Sequence, residues 1–384
     1  MPTVTRQGIS GRDISEMSRV AIDCATNCSG DIDSRSWVSN HAAMNPYWRY
    51  VGGLFATVIV IGILLPSRAR VEREIVIDAY AATVFSLVND FRQINRWSGW
   101  MDDDPNARFE LSGPPRGVGA SRNWQGQIIG KGRQTITEST PFSAVSSSID
   151  LNDGKVASAT FSMSAGGEQS KVILRYEREF GFNIAGRYFG LLLDGIIGPK
   201  YEAELESLKV FAENLPKFDF SDLEVEQLFV DAKDIVYRST SSIPTAKAVS
   251  EAMADAYFDV LSFIDQHDLE ESGAPISITR TFSGAELMFD AGIPVRGLRD
   301  DTPRDGRIVK IGKTYIGPVI RVRHSGPYRT LGQTHQMIAA WLAALGIERN
   351  GDAWEVYISD PTRTVESELE TYVYYPVRYE DAGS

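Results

Sequence analysis

The sequence predicts an α+β protein in which one transmembrane helix precedes two domains. Three observations support this prediction. An apolar run without charges extends over residues 50–66, and short alternating segments separated by turn signals fill residues 113–176. A strand–helix–strand–strand pattern then occurs twice, over residues 223–297 and 305–379.

The composition is that of a globular protein with an acidic charge balance. The 384 residues are enough for two ordinary domains and additional segments. With 43% hydrophobic and 10% aromatic residues, the chain as a whole is not expected to be disordered. The formal net charge of -12 repels phosphate backbones, so the sequence predicts that nucleic acid is not a partner.

The cysteines and histidines do not form a metal-binding pattern. Cys24 and Cys28 have the wrong spacing for a CxxC pair, and no second cluster accompanies them. The four histidines have no ligand spacing with one another or with acidic residues, and there is no Gly-rich phosphate loop. The sequence therefore predicts no metal and no cofactor, while a disulfide or a lipid attachment at the two cysteines stays open.

The N-terminal residues 1–46 are polar and lack a sustained period, which predicts a disordered tail. Met44 lies just before the apolar run, and we hypothesise that translation starts there. Peptides from residues 1–40 in the mass spectrum of the native protein would contradict this hypothesis.

The segment 47–67 has the features of a membrane-spanning helix. Its apolar run of about 17 residues is near the short end for crossing a bilayer, and arginines stand on both sides of it. The alternatives are a buried core helix and a cleaved signal peptide, but the run has no polar face and Leu64-Leu65-Pro66 is a poor cleavage site. We therefore predict a single-pass anchor in the cell membrane, and the side on which the remaining chain lies stays open.

Residues 70–214 begin with a strand and end with a long helix. The strand is expected over Val71–Ile77, the helix from Gly198-Pro199 onwards, and strands separated by glycine-rich turns between them. This order, together with the Arg96-Trp-Ser-Gly-Trp100 segment, resembles the START-like superfamily, also called SRPBCC or polyketide cyclase-like. The resemblance implies a helix-grip fold, in which a curved sheet wraps around the long helix and leaves a cavity for a hydrophobic ligand.

Three tryptophans of this domain are candidate wall residues of that cavity. They are Trp97, Trp100 and Trp124. The alternative is that they are ordinary core aromatics, which is the commoner role of a tryptophan in a globular domain.

The C-terminal part, residues 223–379, follows a short polar linker at residues 215–222 and contains two similar halves. Neither half can bury its own sheet alone. The pattern therefore predicts a pseudo-twofold domain with a duplicated β-α-β-β unit and a ligand cleft where the halves meet.

Four motifs in the second half carry a further resemblance. They are His324-Ser-Gly-Pro-Tyr328, Trp341-Leu-x-x-x-Gly346, Glu355-x-Tyr-x-x-Asp-Pro361 and Tyr375-Pro-Val377. Together they resemble the GyrI-like effector-binding domain, which implies a small-molecule pocket and, in some relatives, hydrolase activity. One departure is Tyr372, which stands where members of that family often have an acid.

Glu355 is the strongest candidate for a functional group. An ionised carboxylate between Trp354 and Tyr357 is costly unless it is compensated, and a cationic ligand would supply both a counter-charge and contacts with ring faces. The same carboxylate is a candidate general base on water. A half-exposed strand acid without a ligand is the remaining interpretation.

The other candidate ligand-binding residues of this domain are aromatic: Tyr357, Tyr328, Tyr315 and Trp341. Trp341 also suits core packing on its predicted helix. His324 is expected to hold the Gly-Pro turn through hydrogen bonds rather than to act in catalysis.

Three functions stay open at this point. The first, which we favour, is a membrane-anchored protein that binds or senses a small hydrophobic or cationic aromatic ligand. The second is a hydrolase of small electrophilic compounds with Glu355 as general base. The third is a carrier of lipids or other hydrophobic ligands through the cavity of the first domain. A transcription factor is disfavoured because the chain is acidic and no helix-turn-helix is apparent.

Overall fold

The computed structural model describes residues 46–101, 104–152, 154–300, 302–303 and 308–378. Both cysteines, the hypothetical internal start and almost all of the predicted disordered tail lie outside these residues. Those three expectations therefore stay predictions.

The described residues contain seven α-helices and three short 3-10 helices. The α-helices are α1 (Pro46–Leu64), α2 (Ala81–Val88), α3 (Phe91–Trp97), α4 (Ile184–Gly190), α5 (Leu193–Glu213), α6 (Ala246–Gln266) and α7 (Leu331–Leu345). The 3-10 helices are Gly99–Met101, Tyr328–Thr330 and Glu366–Glu368.

The strands form two antiparallel sheets, which confirms the predicted α+β class. The first sheet contains β1 (Arg68–Ile77), β2 (Arg108–Ser112), β3 (Ser121–Gln125), β4 (Lys131–Thr140), β5 (Ala144–Asp150), β6 (Val156–Gly166) and β7 (Gln169–Glu179). The second contains β8 (Val225–Val230), β9 (Asp234–Ser242), β10 (Glu270–Glu271), β11 (Ile276–Phe282), β12 (Leu287–Arg296), β13 (Lys310–Lys313), β14 (Gly317–Ser325), β15 (Glu348–Arg349), β16 (Trp354–Tyr357) and β17 (Glu370–Arg378).

Helix α1 corrects the prediction of a membrane anchor. Among the residues that the structure describes, no helix combines the length and the apolar character needed to cross a membrane. The helix takes in Pro46 and Tyr47 but ends at Leu64, before Leu65 and Pro66. Its apolar part is therefore shorter than the run read from the sequence, and the predicted single-pass location was wrong.

The first sheet has the order β1-β7-β6-β5-β4-β3-β2, and every neighbouring pair is antiparallel. One face packs on α5, whose Tyr201, Leu205 and Leu208 are buried in a single hydrophobic cluster with the alternate residues of β7, Val172 and Leu174. Strand alternation and helical spacing thus predict the core of this region correctly. We call β1 to α5 the first-sheet region.

Helix α5 begins earlier than the sequence predicts. It starts at Leu193, so Pro199 lies inside it rather than in its first turn. A proline inside a helix removes one backbone N–H donor, and its ring crowds the carbonyl four positions earlier, here that of Gly195.

The second sheet has the order β13-β9-β12-β11-β16-β17-β14-β8, with β10 and β15 paired to β12 and β17 at its rim. Helices α6 and α7 cover the same face: Val260 of α6 packs with Ile293, and Ile338 of α7 packs with Val373. We call β8 to β17 the second-sheet region.

The two predicted halves occupy opposite sides of the second sheet except for its two edge strands, because β8 of the first half pairs with β14 and β13 of the second half pairs with β9. Reading outward from the central β11–β16 pair gives β11, β12, β9 on one side and β16, β17, β14 on the other. This order fits the predicted duplication, which nonetheless stays a prediction. The ligand cleft expected between the halves stays a prediction.

Candidate functional site

Glu355 lies on β16, near the middle of the second sheet. It is paired in register with Ser277 of β11 and Val373 of β17, and it lies on the face that the helices cover. Because side chains alternate along a strand, Tyr357 shares this face and Trp354 does not. The expectation that Glu355 lies between Trp354 and Tyr357 was therefore wrong, since only the tyrosine reaches it.

The Glu355 carboxylate is held by two hydrogen bonds. His335 Nε2 lies 2.8 Å from Oε1, and the Tyr357 hydroxyl donates to Oε2. On the other side of the imidazole, His335 Nδ1 lies 2.7 Å from the Tyr375 hydroxyl. An ionised carboxylate only accepts hydrogen bonds, so a neutral His335 donates from Nε2 and accepts from Tyr375 at Nδ1. The side chains of Glu355 and His335 are 14% and 24% exposed, so the pair is reachable from solvent.

Four tyrosines surround this carboxylate, and each has a raised pKa. Burial is the main cause at Tyr357 and Tyr257, and the charge of Glu355 adds to it at both. Burial also raises the pKa of Tyr375 to about 12 and that of Tyr328 above its usual range, with a contribution from Glu355 in each case. These phenols therefore stay neutral near pH 7, and Glu355 supplies the negative charge of the site.

Aromatic packing shapes the rest of the site. The rings of Tyr328 and Tyr357 meet edge to face at 5.3 Å between centroids. The Tyr357 hydroxyl lies 3.9 Å from the sulfur of Met253 on α6, and the Tyr257 hydroxyl of the same helix donates to the Ile276 carbonyl at 2.8 Å. Glu355 thus has aromatic groups from α6, from its own strand and from the turn before α7 around it.

Two of the predicted ligand-binding residues of this domain lie elsewhere. Tyr315 packs against Trp354, with ring centroids 6.0 Å apart, and Trp354 stacks on Tyr374 on the sheet face opposite Glu355. Trp341 of α7 is half-buried against the hydrophobic clusters on both sides of its helix. The structure brings together Glu355, Tyr357 and Tyr328 but not these two.

The three tryptophans of the first-sheet region have different surroundings. Trp97 is 7% exposed in the hydrophobic core, and its indole N–H donates to the Leu87 carbonyl at 3.2 Å. Trp100 packs at the edge of that core with the Lys200 ammonium 5.1 Å from its ring, and Trp124 lies over Gly132 of the adjacent strand. Trp97 therefore fits the core interpretation, whereas a cavity role for the others stays a prediction.

His335 is one of the site residues that the sequence did not predict. Leu331, Ile338 and Leu342 of α7 recur at helical spacing, and His335 follows Leu331 by four positions and precedes Ile338 by three. A histidine on an otherwise apolar helix face was therefore the available signal. Tyr257 could be assigned to a helix and Tyr375 to a strand. Neither could be assigned to this site, because their approach to Glu355 depends on the order of the strands in the sheet.

His324 holds the turn before α7, as expected. It is 7% exposed, with Nδ1 2.8 Å from the Thr334 hydroxyl and Nε2 3.4 Å from the Pro327 carbonyl. Burial lowers the pKa of His324, and the nearby His335 lowers it further, against the opposing effects of the Pro327 carbonyl and Glu355. The fold therefore favours the neutral imidazole.

The free energy of unfolding is expected to decrease as the pH falls below about 6.5, the ordinary pKa of histidine. In that range the unfolded chain binds a proton at His324 more readily than the folded protein does, so protonation favours unfolding. The contribution of neutral His324 to the free energy of unfolding is complete above the pKa of the unfolded chain, and it is lost as the pH falls through the pKa of the folded protein. Urea titrations at pH 7.5 and 5.5 would measure the decrease. The matched control is His324→Gln, and an equal decrease in both proteins would contradict the assignment.

Matches to two family models cover the first-sheet region and the second half of the second-sheet region. Residues 68–213 match the family model described as polyketide cyclase / dehydrase and lipid transport. Residues 301–378 match the model described as GyrI-like small molecule binding domain. The chain joins a polyketide cyclase-like domain to a GyrI-like domain. The expected fusion is thereby confirmed, and both matched families are small-molecule-binding folds, which is consistent with ligand binding.

Solved structures match parts of the chain at low sequence identity, whereas no curated protein matches it. EcmrR in its DNA complex shares 13% identity with a TM-score of 0.33, and the match covers 40% of this chain and 57% of that chain. The EcmrR C-terminal domain shares 13% identity with a TM-score of 0.33, over 41% of this chain and 98% of that domain. A hydrolase from Listeria innocua shares 14% identity with a TM-score of 0.30, and the match covers 40% of this chain and 92% of the hydrolase.

Proposed function

We propose that this protein binds a small cationic aromatic molecule at Glu355, in the space between α6 and α7. The observation that carries the proposal is a carboxylate that is 14% exposed, fixed by His335 and Tyr357, and surrounded by tyrosines that stay neutral. A fixed negative charge with aromatic walls is complementary to a cation that has a flat, polarisable body.

The hydrogen bonds at Glu355 favour binding over chemistry. The carboxylate accepts from His335 and Tyr357, which orient it while leaving its charge uncancelled as long as His335 is neutral. A cation is therefore needed to neutralise the site. Contact with tyrosine ring faces would add about 0.5–2 kcal/mol, depending on how far the cation is desolvated.

A hydrolase is the second candidate, because a carboxylate hydrogen-bonded to a histidine is also a general-base arrangement. A tyrosine nucleophile does not fit: Tyr375 is 6% exposed and burial raises its pKa to about 12. Only direct attack by water activated by Glu355 would remain. Hydrolysis of p-nitrophenyl acetate that disappears in Glu355→Gln would favour this second function.

The carrier function rests on the first-sheet region, where the sheet faces α5. The side chains there form one hydrophobic cluster that includes Trp97, Leu205 and Leu208. This packing supports a structural core more than a ligand cavity, so we place the ligand site in the second-sheet region.

The proposal is tested with a pair of dyes that share a ring system and differ in charge. Full-length protein is titrated into cationic rhodamine 6G and into anionic fluorescein, and fluorescence anisotropy reports binding. We expect the wild type to prefer rhodamine 6G, and Glu355→Gln to weaken that affinity about 10-fold, or about 1.4 kcal/mol, because the glutamine keeps the shape and loses the charge.

The control is Glu348→Gln, which removes the same charge from a side chain that is 75% exposed at the rim of the same sheet. It should bind rhodamine 6G like the wild type. Equal affinity of wild type and Glu355→Gln, or a preference for fluorescein, would show that Glu355 is not a cation site.

A further inference from the structure

Helix α7 is packed on two opposite sides. One side carries His335, Ile338 and Leu342 onto the second sheet. The other side carries Ala340 and Ala344, which are 1% and 0% exposed in a separate cluster. That cluster contains Ala82 of α2 and Phe220 of the predicted linker, with Met337 and Trp341 packed against it. The helix that supplies His335 is therefore also in contact with the first-sheet region.

Small side chains make this contact close. Ala340 and Ala344 are one helical turn apart on the same side of α7, and they meet Ala82 on α2, all of whose residues are buried. Alanine at such positions lets two helices approach closely. Because α2 is fixed in the first core, α7 cannot shift without disturbing that core.

The end of α7 is capped by the first-sheet region. Gln93 of α3 donates from Nε2 to the Leu345 carbonyl at 2.7 Å, and Arg96 of the same helix donates to the Ala343 carbonyl at 3.3 Å. The last carbonyls of a helix lack partners within it, and a cation there also complements the negative end of the helix dipole. Arg96 additionally donates to the Gln93 side-chain oxygen, so the two capping residues hold each other.

Arg96 links this cap to the long helix of the first-sheet region. Its guanidinium lies 5.0 Å from the ring centre of Phe211 on α5. A single side chain therefore contacts α7, α3 and α5. Its position depends on the arrangement of all three helices.

We propose that Gln93 and Arg96 are positioning residues for the ligand site in the other region of the chain. By holding the end of α7, they fix the His335 imidazole against Glu355. An α-helix is stiff over the about 15 Å that separates His335 from Leu345, so a displacement at the cap is transmitted along it. By reciprocity, a ligand that moves His335 changes the contact with the first-sheet region, which gives the fused chain a route from ligand binding to its other domain.

The test uses the imidazole of His335 as a probe that needs no ligand. Two-bond ¹H–¹⁵N spectra of full-length protein report the tautomer of each histidine, and His335→Gln assigns the signal. The wild type is expected to show hydrogen on Nε2, held by Glu355. In Gln93→Leu and Arg96→Met this signal is expected to shift towards a mixture of tautomers.

Two further variants separate positioning from general damage. Arg175→Met removes an arginine elsewhere in the first-sheet region, where its bond to Glu72 stays within that region, so its His335 signal should match the wild type. Arg96→Lys keeps a cation at the helix end and should restore part of the wild-type signal. A wild-type His335 signal in both Gln93→Leu and Arg96→Met would overturn the proposal.

The binding measurement depends on the proposed function and is kept separate. Rhodamine 6G affinity is expected to fall about 3- to 10-fold in Arg96→Met and to stay unchanged in Arg175→Met. If rhodamine 6G does not bind the wild type, the proposed function fails, and the histidine spectra still decide whether the cap positions His335.

Discussion

Ile338→Ala is expected to lower the free energy of unfolding by about 3 kcal/mol, the largest effect that we predict. Ile338 is 0% exposed in the cluster that joins α7 to the second sheet, where it packs with Val322, Leu342 and Val373. Truncation removes buried apolar surface and leaves a cavity that a helix held on both sides cannot close. Urea unfolding followed by circular dichroism would show a lower midpoint.

Gln336→Ala is the matched control for this prediction. Gln336 lies on the same helix and is not buried in its clusters, so the change should alter the free energy of unfolding by no more than about 0.5 kcal/mol. If the free energy of unfolding of Ile338→Ala were also within about 0.5 kcal/mol of the wild-type value, the packing of α7 on its sheet would be looser than the burial of Ile338 indicates.

Gly346→Ala is expected to cost about 2 kcal/mol and to weaken the contact between the two regions. Gly346 ends α7 in the left-handed conformation, with φ of 63°. An added Cβ would lie 2.7 Å from Arg96 Nη1 and 3.1 Å from the Gln93 amide. Those side chains are flexible, so they would move away, and the bonds that they make to the helix end would be lost with them.

Gly332→Ala offers a control on the same helix. A Cβ added at Gly332, near the start of α7, would have no neighbouring side chain or backbone within 4 Å, and alanine is the better helix former by up to about 1 kcal/mol. We expect Gly332→Ala to unfold at the same or a higher urea concentration than the wild type. Equal stability of Gly346→Ala and Gly332→Ala would mean that the cap contributes little.

The fold was largely predictable because it is built from periodic patterns. Alternation in β7 and helical spacing in α5 assign Val172, Leu174, Leu205 and Leu208 to a core without reference to the structure, and all four are buried. The two family resemblances agree with the matched family models. The membrane anchor was not predictable in the same way, because an apolar run does not specify where its helix starts and ends.

The site was only partly predictable because it depends on contacts between distant segments. Glu355 and Tyr357 share a strand, so alternation places them together. His335, Tyr257 and Tyr375 reach the carboxylate only through the order of the strands and the packing of α6 and α7. Trp354 shows the opposite error. Its position next to Glu355 in the sequence suggested a contact between the two side chains, but neighbouring side chains on a strand lie on opposite faces of the sheet.

The alanine contact between α2 and α7 limits how this chain can be recombined. Each region buries apolar residues of the other in the cluster around Ala82 and Ala344. A chimera that replaces the polyketide cyclase-like part with a relative would need a similarly small residue at the crossing point. Without it, we expect the incoming helix to push α7 outward and to separate His335 from Glu355, even though every residue of the proposed ligand site had been retained.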